Sequence, residues 1–103
     1  MSAPLTGTQR RQLRAIAGRR EAAKTLRRMK VVEPARSAAE VDTALRDGEL
    51  VRCKFPVLHK RDVAPLAEEL AGLVDPPAEV AQVLGHTALL YRPAASPEIV
   101  LET

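Results

Sequence analysis

Apolar residues at helical spacing alternate along this chain with short runs of strand-like alternation, and glycine or proline closes nearly every segment; that order constrains the fold more than any single motif. Leu5-Thr6-Gly7-Thr8-Gln9 predicts a helix start of the capping-box kind, because Thr6 can accept from the third helical amide while Gln9 reaches back. Leu5 supplies the hydrophobic staple. Leu13, Ile16 and Ala17 then make one apolar stripe, and Arg10, Arg11 and Arg14 project away from its centre. Gly18 is expected to weaken or end this helix. Met29-Lys30-Val31-Val32 reads as a first strand, closed by Glu33-Pro34. Ser37-Ala38-Ala39-Glu40 is a second capping box, followed by Val41, Ala44 and Leu45 at helical spacing and by Gly48 as the carboxy-terminal cap. From Leu50 to Phe55 the pattern alternates, with Val51, Cys53 and Phe55 on one face and Arg52 and Lys54 on the other. A third helix starts at Asp62 and packs through Leu66, Ala67, Leu70 and either Leu73 or Val74. Val80 to Leu84 and Thr87 to Tyr91 flank Gly85-His86, the two-residue connection of a tight antiparallel hairpin.

The resulting order, helix-strand-helix-strand-helix-strand-strand, predicts an α/β chain of the α+β two-layer type: three helices covering one side of a mixed sheet of about four strands. At 103 residues the chain can build one core. Residues 1–93 are therefore expected to form a single domain, with 94–103 a short carboxy-terminal tail or an edge strand at Ile99-Val100-Leu101.

Charge is segregated in a way that the net value of +3 conceals. Residues 1–30 carry nine basic groups and one acid, Glu21, a balance of +8, whereas the rest of the chain balances at −5. A basic third on an acidic body attracts polyanions, nucleic acid above all; a solvated arginine-rich helix face is the alternative. The aromatics are Phe55 and Tyr91 alone, which excludes a base-stacking platform of several rings. Cys53 is the single cysteine, so a disulfide framework and a multi-cysteine zinc site are excluded and a reducing compartment is indicated. Cys53 reads as a core residue against the alternative of a reactive thiol, and Tyr91 as core packing against base stacking. His59 and His86 lie near no nucleophile or carboxylate constellation, so no enzyme, cofactor, metal or small-molecule substrate is predicted. Glu68-Glu69 reads as a solvated helix face. Arg52 and Lys54 either extend the basic surface across the sheet or simply keep the strand soluble. No apolar run reaches the roughly 18 residues of a membrane span, and the capping signals argue against an arginine-rich transit peptide.

Three stretches resemble one family, the CRM domain (chloroplast RNA splicing and ribosome maturation), whose stand-alone bacterial members are YhbY-like. Leu5-Thr6-Gly7-Thr8-Gln9-Arg10-Arg11-Gln12-Leu13-Arg14-Ala15-Ile16-Ala17 is similar to its opening helix. Val41-Asp42-Thr43-Ala44-Leu45 through Glu49-Leu50-Val51-Arg52-Cys53-Lys54 resembles its second helix and basic strand, and Val83-Leu84-Gly85-His86 through Leu90-Tyr91-Arg92-Pro93 resembles its closing hairpin. The resemblance implies a fold similar to the carboxy-terminal domain of translation initiation factor three, and binding to structured RNA, in bacteria ribosomal RNA or pre-ribosomal particles of the large subunit. It implies no catalysis. The partners expected are RNA and, alongside it, ribosomal proteins, with the chain acting as a cytoplasmic monomer; an organellar location is the alternative. The residues expected to contact RNA are Arg10, Arg11, Arg14, Lys30 and Arg36, with His86 and Arg92 at the hairpin. One feature departs from the family: its Gly-x-x-Gly loop between first strand and second helix corresponds here to Arg28-Met29-Lys30-Val31-Val32-Glu33-Pro34-Ala35-Arg36, which contains no glycine. Glycines there would let backbone approach phosphate closely. A scaffold held in a ribonucleoprotein by protein contacts, without an independent RNA clamp, is therefore the competing expectation.

Overall fold

In the computed structural model, which describes residues 4–102, Thr6 and Gln9 form the reciprocal cap that opens helix α1 (Gly7–Ala22). The Thr6 hydroxyl accepts from the Gln9 N–H and Gln9 Oε1 accepts from the Thr6 N–H, both at 3.0 Å. Residues 1–3 of the expected domain and residue 103 of the expected tail lie outside the described residues. Helix α1 runs through Gly18 and ends in a Schellman turn: the Lys24 N–H bonds to the Glu21 carbonyl and the Thr25 N–H to the Arg20 carbonyl, with Lys24 left-handed at φ 60°. A Cβ added at Gly18 meets nothing within 4 Å. Gly18→Ala is accordingly expected to raise stability by about 0.5–1 kcal/mol, the helix-propensity difference, read as a higher urea midpoint at unchanged m-value.

Strand β1 (Arg27–Lys30) begins two residues earlier than the apolar pattern suggests, because its limits are set by pairing with strand β2 (Leu50–Lys54). Helix α2 (Pro34–Gly48) also begins early. Pro34 occupies the first turn, where its fixed φ fits and its missing N–H is no loss, so Ser37 and Glu40 lie inside the helix and form no cap. At its other end the left-handed residue is Glu49 (φ 69°), not Gly48. A short turn of 3₁₀ helix, Lys60–Asp62, leads into α3 (Val63–Leu73), which turns Val74 inward and leaves Leu73 half-exposed. Strands β3 (Glu79–Leu84) and β4 (Thr87–Tyr91) make the expected hairpin, with Gly85 at φ 59° in the first turn position.

The sheet order is β1-β2-β4-β3, with β1 and β2 parallel and the other neighbours antiparallel. Three helices on a four-stranded mixed sheet is the class read from the sequence, but the layering differs at one helix. Val51, Cys53, Ala88 and Leu90 face α2 and α3 in the larger core. Leu50, Leu89 and Tyr91, of opposite strand parity, face Leu13 and Ala17 of α1. Helix α1 thus covers the reverse side of the sheet, a choice that the amphipathic stripe of a helix cannot express.

The tail carries no strand among its described residues; it crosses α1 as irregular chain with Ile99 buried. The buried Glu49 carboxylate holds it, accepting the N–H groups of Ala94, Glu98 and Ile99 at 3.0 Å each. Gln9 and Gln12 of α1 close the far end by hydrogen bonds to the Glu102 backbone. No helix among the described residues is long and apolar enough to cross a membrane.

Candidate nucleic-acid interface

The parallel register of β1 and β2 sets Arg28 beside Arg52 and Lys30 beside Lys54. Strand alternation turns all four toward the side of the sheet that α1 occupies, the side of Leu50 and Leu89. Helix α1 covers only the end of that face near Leu50 and Tyr91. At the other end lies a shallow pocket of about 260 Å³ lined by Arg28, Met29, Lys30, Arg52, Lys54 and Thr87. No acid lines it.

Arg10 and Arg14, one helical turn apart, share an edge of α1 with Glu21. Glu21, in the last turn, borders the pocket, its Oε1 standing 3.1 Å from Arg52 Nε. Arg11 lies further round, toward solvent. Arg10, Arg11 and Arg14 are all exposed, and no ion pair engages them among the described residues. Lys30 is exposed at the mouth of the pocket. Arg36 is exposed on the first turn of α2, where its Nε lies 2.9 Å from Glu33 Oε2. His86 sits in the β3–β4 turn at the Lys54 end of the sheet, and its carbonyl accepts the Phe55 N–H at 2.8 Å.

Arg92 departs from the expected set. It is 6% exposed and lies at the opposite end of β4, where it bonds to the Asp42 carboxylate at 2.7 Å and the Pro76 carbonyl at 2.9 Å. Its fork ties α2 to the chain that follows α3, so its place in the motif reflects packing. The alternation of the strand put Arg52 and Lys54 on one face, but the partners that make a site of them, Arg28 and Lys30, come from a strand read two residues late. The parity of Arg28 and Lys30 was the available signal.

In the loop between β1 and α2 no residue takes a positive φ. Val31 is buried and donates its N–H to the Lys54 carbonyl at 2.8 Å, Val32 is exposed, and Glu33 is the N-cap of α2 without a side-chain cap bond. The negative carboxylate of Glu33 thus stands near the helix end, where a bound anion would gain most from the helix dipole. Burial pushes the Cys53 thiol up to about 12, so at neutral pH it is a protonated core group and no nucleophile. Tyr91 is also raised, by burial and then by the charge of Glu49. It is buried against α1 with Leu89, which removes it from base stacking.

The family model of the CRS1/YhbY (CRM) domain matches residues 5–92. Among solved structures, the chain is similar to the solution structure of a hypothetical protein from Staphylococcus aureus described as a candidate RNA-binding protein. The two are 25% identical, the match covers 95% of this chain and 99% of that one, and the TM-score is 0.71. No curated protein matches the chain.

Proposed function

Because the chain belongs to the CRS1/YhbY (CRM) domain family, we propose that it is an RNA-binding module, a binder and not a catalyst, that grips the backbone of structured RNA. Its specific target in this reading is ribosomal RNA in precursors of the large subunit, engaged as a monomer alongside ribosomal proteins, in the cytoplasm or alternatively in an organelle. The observation that carries it is the convergence of Arg28 and Lys30 of β1 with Arg52 and Lys54 of β2 on one surface; Arg10 and Arg14, exposed on the helix whose Glu21 meets Arg52, add to it in this reading. Arg11 and Arg36, both exposed, and His86 in the β3–β4 turn are further contacts in this reading. Contacts of this kind hold phosphate and set the register of a complex without reading bases.

Four to six phosphate contacts predict an affinity that falls with salt at a log–log slope of about −3 to −5, since each contact on RNA contributes roughly −0.7 to −0.9. Filter binding of a large-subunit ribosomal RNA transcript between 0.05 and 0.3 M salt (about sixfold in range) checks this. A salt-independent affinity rejects the reading. The glycine-free loop and the Glu33 carboxylate at the start of α2 favour a second reading, a scaffold seated by protein contacts. Absence of binding to RNA at low salt, with retention in purified ribosomal particles, decides for the scaffold.

A further inference from the structure

Arg52 is out of keeping with its surroundings. Its Nε is buried and, among the described residues, is the one buried side-chain nitrogen or oxygen without a hydrogen-bond partner. The Glu21 carboxylate stands 3.1 Å from that nitrogen, yet the N–H does not point at it. One terminal nitrogen reaches Gln82 Oε1 at 3.5 Å, the outer limit of a hydrogen bond. A buried guanidinium normally has its fork filled, because an unmet donor there keeps its full desolvation cost. The unfinished arginine lines the basic pocket, and its neighbours there are Arg28, Lys30 and Lys54. The one acid of residues 1–30 leans on it.

We propose that this pocket is a seat for a single RNA backbone phosphate, with Arg52 as its buried donor, and that Glu21 stands on Arg52 as an internal competitor that the phosphate displaces. The two non-bridging oxygens of a phosphate entering over Lys30 and Lys54 offer the planar guanidinium a bidentate partner, which the misaligned carboxylate does not. Glu21 has its side chain 40% exposed and can swing into water at little cost. The exchange makes binding weaker than the bare cations would give, and it discriminates against anions that cannot also meet the two lysines. The inference rests on the RNA-binding reading and adds to it the identity of one contact and its competitor.

The test uses the full chain and an RNA stem-loop in filter-binding titrations across salt. Glu21→Gln is expected to bind about two- to fivefold more tightly at 0.1 M salt, because the ion pair with Arg52 no longer has to be broken, at an unchanged salt slope, because the wild type already makes the same phosphate contact. In an Arg52→Gln background the same change is expected to gain nothing. Glu68→Gln on α3 serves as the charge control and needs no Arg52 variant to fold; it is expected to leave affinity and slope unchanged. An unchanged or weakened Glu21→Gln protein overturns the phosphate seat, as does an equal gain from Glu68→Gln or a gain that persists without Arg52. If the wild-type chain itself shows no salt-dependent binding, the RNA-binding reading fails and this inference falls with it.

Discussion

Replacing Glu49 by alanine is expected to lower the unfolding free energy by about 3–5 kcal/mol and to free the tail from α1. The residue is 2% exposed and its carboxylate accepts three backbone N–H groups. A hydrogen bond to a charged group contributes roughly 1.5–3 kcal/mol, so three would sum to more than the figure given. One consideration reduces it. The Ala94 and Glu98 amides are only partly buried and can turn to water once the carboxylate is gone, whereas the Ile99 amide cannot. Alanine inherits the left-handed backbone at φ 69°, a strain already present in the wild type that therefore cancels. Glu49→Gly separates the two effects, since glycine relieves the backbone but still lacks the acceptor, and it should recover about 1 kcal/mol relative to alanine. Urea unfolding gives the magnitude, and amide exchange at Ala94, Glu98 and Ile99 locates it. Full protection at those amides in Glu49→Ala would show that the tail is held by Ile99 packing alone. Against a total of roughly 5–15 kcal/mol for a small domain, the predicted loss is large.

Glu49 also marks where sequence reasoning stops. The αL cap of α2 was legible as a place, but glycine was the expected occupant, and Gly48 offered itself one residue too soon. What overrides the local preference is a set of partners some fifty residues away, and no window along the chain displays them. The same division runs through the molecule. The Thr6 cap and the Gly85 turn are local, and the sequence predicts both correctly. The order of elements follows from spacing. The side of the sheet that α1 covers, the true limits of β1, and the burial of Arg92 all depend on pairing across the fold. The candidate site inherits this split: the exposed arginines of α1 are visible as charge, while the pocket exists only once β1 and β2 are in register.

Holding Lys30 beside Lys54 and Arg28 beside Arg52 in that register opposes folding, because like charges on adjacent strands repel. This gives the interface a signature in which stability and binding move in opposite directions. Lys54→Glu places a carboxylate against Lys30 and should raise the unfolding free energy by about 0–1 kcal/mol, read as an equal or slightly higher thermal midpoint, since both groups are exposed to solvent. The same change removes one phosphate contact and sets a negative charge against the RNA. Each effect is worth about five- to eightfold at 0.1 M salt, so affinity is expected to fall roughly 30- to 60-fold, and about a thousandfold in the Lys30→Glu/Lys54→Glu double variant. A stabilised protein that no longer binds excludes misfolding as the cause. Reversal of Arg10, Arg11 and Arg14 to glutamate is the comparison, since in the proposed reading those residues meet the RNA from the helix and do not border one another across strands. If Lys54→Glu binds within threefold of the wild type while the α1 variant does not bind, the contact surface is the helix alone, and the open half of the sheet faces water.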